Sequence, residues 1–128
     1  YVRHLAPHIG SGKDIPAPDV NTNSQIMDWM TDELERQMGK PDPGAFTGKS
    51  MHNGGSAGRE AATGRGGVIV LGEYLKRRSL DDKPLTVAIQ GLGNVGYFFA
   101  KVLGELYPKL RIIAVSNSKS TWTSHMPD

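Results

Sequence analysis

Six consecutive residues carry the first chemical signal: Gly91, Leu92, Gly93, Asn94, Val95 and Gly96 form a Gly-x-Gly-x-x-Gly run. Immediately before it, Leu85-Thr86-Val87-Ala88-Ile89-Gln90 is short, mostly apolar and β-branched. A helical stripe opens inside it, with Val95, Phe98, Phe99, Val102, Leu103 and Leu106 on one face. Arg111-Ile112-Ile113-Ala114-Val115-Ser116 then completes a strand–helix–strand unit of about 30 residues. In such a turn the first glycine permits the tight bend. The second removes a Cβ that would block a pyrophosphate, and the third lets helix and strand pack closely. A pyrophosphate placed there meets free N–H groups and the positive end of the helix dipole. The expectation is a dinucleotide cofactor. An Asp or Glu commonly receives the adenosine ribose after the second strand, but here the strand ends in Ser116-Asn117-Ser118-Lys119. Asn117 can bond a hydroxyl without repelling a 2′-phosphate, and Lys119 can pair with one. NAD and NADP both stay open, with dual use or an NADP preference expected.

The elements around this turn follow from pattern. Tyr1 to Gly12 has weak helical periodicity through Val2, Leu5 and Ile9, ended by Gly10-Ser11-Gly12. Pro16 and Pro18 prevent a helix over the following segment. Asn21-Thr22-Asn23-Ser24 is a cluster of N-cap residues, and Ile26, Met27, Met30, Leu34 and Met38 follow at helical spacing. Gly39 supplies a left-handed stop, so the spacing predicts a helix over 24–38. Residues 40–58 read as a loop with little apolar content, long enough to be functional or linking. A second helix is expected from about Arg59 or Thr63 to Arg78, with Val68, Leu71 and Leu75 on its inner face. Gly64, Gly66, Gly67 and Gly72 weaken it by about 1 kcal/mol each. Glycine at that density points to tight helix packing or to backbone beside a ligand. Both strands read as buried on both faces, and residues 117–128 as a polar, aperiodic tail.

Composition sets outer limits. The chain has 128 residues, about one domain's worth. With 15 Lys and Arg against 13 Asp and Glu, the net charge is +2, and no basic stripe argues for nucleic acid. No apolar run approaches the roughly 18 residues a membrane helix needs, and residues 1–13 carry no secretory pattern. Cysteine is absent, which excludes disulfides and thiolate metal sites and is compatible with an intracellular setting. Beginning at Tyr1 rather than Met suggests a piece of a longer protein.

Three stretches together resemble the glutamate dehydrogenase family, within the wider Glu/Leu/Phe/Val dehydrogenases. They are Asp14-Ile15-Pro16-Ala17-Pro18-Asp19-Val20-Asn21-Thr22-Asn23, then Gly54-Gly55-Ser56-Ala57-Gly58-Arg59-Glu60-Ala61-Ala62-Thr63-Gly64-Arg65-Gly66, then residues 87–96. Phe46-Thr47-Gly48-Lys49 fits as well, and the resemblance covers about residues 1–117. It implies an α/β fold. One Rossmann-like βαβ unit of a doubly wound sheet, residues 56–128, is preceded by the C-terminal part of an α/β substrate domain, residues 1–55. It implies reversible oxidative deamination of L-glutamate to 2-oxoglutarate and ammonia, with hydride transfer to NAD or NADP. It also implies a cytoplasmic homohexamer. The family's catalytic lysines would lie upstream of Tyr1, so this chain alone is expected to be incomplete and inactive.

By the same resemblance Asp19 matches the catalytic aspartate, and Thr63 and Asn94 match positions that bond the nicotinamide carboxamide. The cofactor set is Thr63, Gly91, Gly93, Asn94, Val95, Gly96 and Asn117, with no metal. The residues agree with this: Asp19 sits on backbone stiffened by two prolines, and a hydroxyl plus an amide satisfies both ends of a carboxamide. Arg59 and Arg65 lie in the matched segment without an assigned ligand. Ser50-Met51-His52-Asn53, Asn117 and residues 121–128 depart from the family pattern. Three rivals remain: a leucine- or phenylalanine-type dehydrogenase, a non-catalytic dinucleotide-binding module, and a truncated product with a structural role in an oligomer.

Other constellations carry less. His4 and His8 lack a third ligand, and Pro7 disturbs their spacing. Thr47-Gly48-Lys49-Ser50 has Pro43 where a phosphate loop needs glycine. The methionines of 24–38 read as packing.

Overall fold

The computed structural model describes residues 1–124. They divide into two compact units, Tyr1–Arg59 and Glu60 onward. No helix among the described residues is long and apolar enough to cross a membrane.

In the first unit, α1 (Val2–Leu5) is a single turn rather than a helix reaching Gly12. Pro7 explains the early stop, since it has no N–H for the Arg3 carbonyl and its ring crowds the preceding turn. Helix α2 (Ser24–Met38) has the expected bounds. The Ile26 N–H donates to Asn23 Oδ1 at 3.0 Å, and Gly39 ends the helix at φ 65°. Met27 and Leu34 are fully buried with Val2, Ile9, Ala45 and Phe46. Residues 40–58, read as a loop with little apolar content, are irregular apart from a 3-10 turn at Met51–Asn53, and Ala45 and Phe46 from this loop fill the centre of the unit.

Glu33 links the two helices. Arg3 Nε lies 2.7 Å from Oε1, Arg36 Nη2 lies 2.6 Å from Oε2, and Gln37 Nε2 donates to Oε1 at 2.8 Å. The hydrogen bond from Arg36, then those from Arg3 and Gln37, hold the Glu33 carboxyl down to about 2 from its ordinary 4.5. A carboxyl depressed on folding stabilises above its unfolded value and loses that contribution as pH falls through the folded one. In the parent protein, melting temperature should therefore fall between pH 4.5 and about 2, and Glu33→Gln should flatten that part of the profile. The pair network is at the surface, so the difference is small.

The second unit contains α3 (Ala62–Arg77), β1 (Thr86–Gln90), α4 (Asn94–Leu106), β2 (Arg111–Ser116) and β3 (Thr121–Thr123). Its sheet order is β1-β2-β3. The β1–β2 pair is parallel, in register from Thr86↔Arg111 to Gln90↔Ser116 with one irregularity after Val87. The β2–β3 pair is antiparallel. Strand β3 corrects the expectation of an aperiodic tail. The Asn117 N–H donates to the Ser120 carbonyl, and Asn117 Oδ1 accepts from the N–H groups of Lys119 and Ser120. That turn reverses the chain so that Trp122 pairs with Val115. Residues 125–128, also expected to depart from the family, lie outside the described residues.

Val68 and Leu75 of α3 pack with Val102 and Leu103 of α4, and Val87 and Ile112 bring one face of the sheet against them. Burial of β1 on both faces is not what forms: Val87 and Ile89 are half-buried, while Thr86, Ala88 and Gln90 are exposed. A strand covered by helices on one side only keeps the alternation of a half-buried strand. Three of the four α3 glycines, Gly64, Gly67 and Gly72, serve packing, whereas a Cβ on Gly66 would meet nothing within 4 Å. A Cβ on Gly64 would lie 2.7 Å from the Phe99 nitrogen and 2.8 Å from the Val95 carbonyl oxygen, and one on Gly72 would overlap the Tyr107 hydroxyl.

Candidate active-site residues

Asp19 lies in the first unit and the seven residues of the cofactor set lie in the second. Asp19 is exposed, on irregular backbone between Pro18 and α2. Its main chain is closed onto Thr22. The Asp19 N–H donates to Thr22 Oγ1 at 2.6 Å, and the Asp19 carbonyl accepts from the Thr22 N–H at 3.0 Å and from its hydroxyl at 2.7 Å. Its carboxylate has no hydrogen-bond partner among the described residues, so backbone contacts set its place and leave both side-chain oxygens open. Thr22 had no assigned part beyond helix capping; its three-residue spacing from an aspartate was the available signal. Arg59 Nη2 donates to the Pro18 carbonyl at 3.4 Å, a structural contact.

In the second unit the glycine turn runs from the end of β1 into the first turn of α4. Gly91 has φ 91°, a conformation that side chains other than glycine rarely adopt. A Cβ on Gly96 would lie 1.8 Å from the Gly91 carbonyl oxygen, so close packing within the turn demands the third glycine. Gly93 differs from both. Its backbone is extended, and a Cβ there would meet nothing within 4 Å. Neither conformation nor internal packing explains a glycine at 93. Gly93 is also the N-cap of α4, and no side chain caps this end, which leaves its N–H groups for another acceptor. A pyrophosphate fits both facts.

Thr63 is exposed in the first turn of α3, and Asn94 is the exposed first residue of α4. The Gly64 contact with the Val95 carbonyl makes these two helix starts neighbours. The structure thus brings Thr63 and Asn94 to one place, although 30 residues separate them in sequence. Val95, beside them, is half exposed at 50%. Asn117 lies past the end of β2, exposed, with its side-chain oxygen already accepting two N–H groups. Its side-chain NH2 is the part not engaged in these bonds.

The model described as "Glutamate/Leucine/Phenylalanine/Valine dehydrogenase" matches residues 54–125, more than half the chain. The chain belongs to this dehydrogenase family. Residues 1–36 match "Glu/Leu/Phe/Val dehydrogenase, dimerisation domain". The first match runs to residue 125, so the stretch from 121 that was expected to leave the family pattern is largely inside it. The chain is 44% identical over 118 residues to the cryptic catabolic NAD-specific glutamate dehydrogenase of Bacillus subtilis (strain 168), covering 92% of this chain and 27% of that protein. It is 46% identical to the NAD-specific glutamate dehydrogenase of Staphylococcus aureus (strain COL), covering 92% of this chain and 28% of that one. Among solved structures, the hetero-hexameric glutamate dehydrogenase of Thermus thermophilus in its Leu-bound form superposes with TM-score 0.90. It is 37% identical, over 97% of this chain and 29% of that one. The chain therefore spans under a third of the length of these relatives.

Proposed function

We propose that the chain is part of an NAD(P)-dependent glutamate dehydrogenase catalysing reversible oxidative deamination of L-glutamate to 2-oxoglutarate and ammonia. The observation that carries this reading is the 44–46% identity to relatives named as NAD-specific glutamate dehydrogenases. A nicotinamide ring supplies the hydride acceptor. Gly91, Gly93 and Gly96 admit the pyrophosphate to the start of α4, with Val95 beside them. Thr63 and Asn94 hold the carboxamide, which orients the ring. Loss of hydride from the amino acid leaves an iminium, which adds water and then releases ammonia. These steps need a group that takes and returns protons, and the open carboxylate of Asp19 is that group.

Two observations pull the cofactor choice apart. Asn117 is left as a donor with Lys119 close by in sequence, which suits a 2′-phosphate. The relatives' names favour NAD. For the complete protein a cytoplasmic homohexamer is the expectation, although the Thermus thermophilus neighbour is named as hetero-hexameric. The deciding experiment is reduction of NAD and of NADP by the complete parent protein with glutamate, leucine or phenylalanine. Glutamate should turn over far faster than either apolar amino acid; a preference for leucine or phenylalanine overturns the substrate.

A further inference from the structure

We infer that Lys49 is a positioning residue for Asp19, acting through the proline segment at 16–18. The inference rests on the catalytic role proposed for Asp19.

Lys49 is 7% exposed, and among the described residues no other lysine or arginine is buried. A buried amine normally pairs with a carboxylate. Here none lies within ion-pair distance among the described residues. Instead Nζ donates to the carbonyls of Pro43 at 2.8 Å and Phe46 at 2.5 Å, both on its own loop. Phe46 itself is core. An apolar side chain of equal length would fill the same space, but only a multiple donor ties two carbonyls at once. The Ser50 N–H donates to Asp28 Oδ1 at 3.0 Å, anchoring the end of the loop to α2. Lys49 thus turns residues 43–49 into a closed knot on the core.

The outer side of that knot meets the segment leading to Asp19. The Thr47 N–H donates to the Pro16 carbonyl at 3.1 Å. Gly48, at φ 69°, lies against the Pro18 ring: a Cβ there would be 2.3 Å from Pro18 Cγ and 2.6 Å from Cδ. Pro16 and Pro18 have no N–H to donate. The two prolines can be held only through their carbonyls and rings, and the 43–49 knot supplies one contact of each kind, beside the Arg59 bond to the Pro18 carbonyl. Asp19 follows directly, its backbone closed on Thr22. A displacement of residues 47 and 48 therefore reaches the carboxylate with no flexible residue between.

The test uses the complete parent protein and five variants: Lys49→Met, Gly48→Ala, Asp19→Asn and the double variants Asp19→Asn/Lys49→Met and Asp19→Asn/Gly48→Ala. Lys49→Met should lower kcat about 10- to 100-fold, the scale of a misplaced catalytic group, with the KM for the cofactor unchanged. On the Asp19→Asn background it should lower kcat no further, because the group it positions is already gone. Unchanged kcat, or an equal fall on both backgrounds, overturns the inference. If Lys49→Met does not fold, Gly48→Ala decides, since it presses on the same proline ring. It should show the same kcat loss and the same silence on the Asp19→Asn background, and wild-type kcat overturns the inference. If Asp19→Asn itself keeps full kcat, the catalytic reading falls and takes the positioning role with it. If only Asp19→Asn loses activity, the positioning role alone falls.

Discussion

Asp19→Asn in the complete parent protein should lower kcat for glutamate oxidation by about 10² to 10⁴, the usual contribution of a positioned proton carrier. That corresponds to about 3 to 5 kcal/mol of barrier. The amide keeps the shape of the carboxylate but cannot take up a proton. The main-chain bonds to Thr22 do not involve the altered atoms, so fold and local geometry persist. Cofactor affinity should hold, because the glycine turn belongs to the other unit. A loss in kcat with unchanged cofactor binding separates the enzyme from a dinucleotide sensor, in which the substitution has no catalytic consequence. Wild-type turnover in this variant would remove Asp19 from the mechanism.

The second large effect separates two glycines three residues apart. Gly96→Ala places a methyl 1.8 Å from the Gly91 carbonyl oxygen, and the main chain fixes the position of both. Neither can rotate away, so the turn opens or the helix start shifts. The expected cost is about 1 to 3 kcal/mol of stability, the range for overpacking a close contact. Cofactor affinity should also fall, by about tenfold for each 1.4 kcal/mol of lost binding energy. Gly93→Ala should keep the parental melting temperature, since its Cβ meets no atom of the chain within 4 Å. Its effect should be confined to cofactor affinity, again about tenfold or more if a pyrophosphate approaches there. Calorimetric melts and cofactor titrations of both variants check the pair. Unchanged affinity in Gly93→Ala would remove the pyrophosphate from that spot.

Local rules made α2 and the β1–α4–β2 unit readable in advance. Asn23 and Gly39 punctuate one, and two β-branched runs flank a glycine turn in the other. The misses share a physical origin in long-range contacts. Strand β3 is only three residues long, too short to show a period, and it pairs with β2 through the Asn117 turn. Phe46 and Lys49 are buried by an irregular loop, which has no period to detect. The exposed face of β1 depends on which helices cover the sheet, and a run of apolar residues does not encode that. In the candidate site, the turn glycines were legible because bend and clearance are local demands. The glycines of α3 were ambiguous, as close helix contact and ligand approach ask for the same residue; their contacts decide for the former at Gly64 and Gly72, and Gly66 has no such contact. That Thr63 and Asn94 start adjacent helices follows from the Gly64 crossing, which no spacing rule predicts.

The hairpin that ends in β3 also gives this sheet a direction of growth. With β3 occupying the outer margin of β2, β1 is the other margin of the sheet among the described residues, with main-chain groups that an added strand could pair. In doubly wound sheets ligands settle where successive strands diverge to opposite sides, just beyond their carboxyl ends. A strand paired on that side of β1 would place such a divergence beside Gly91.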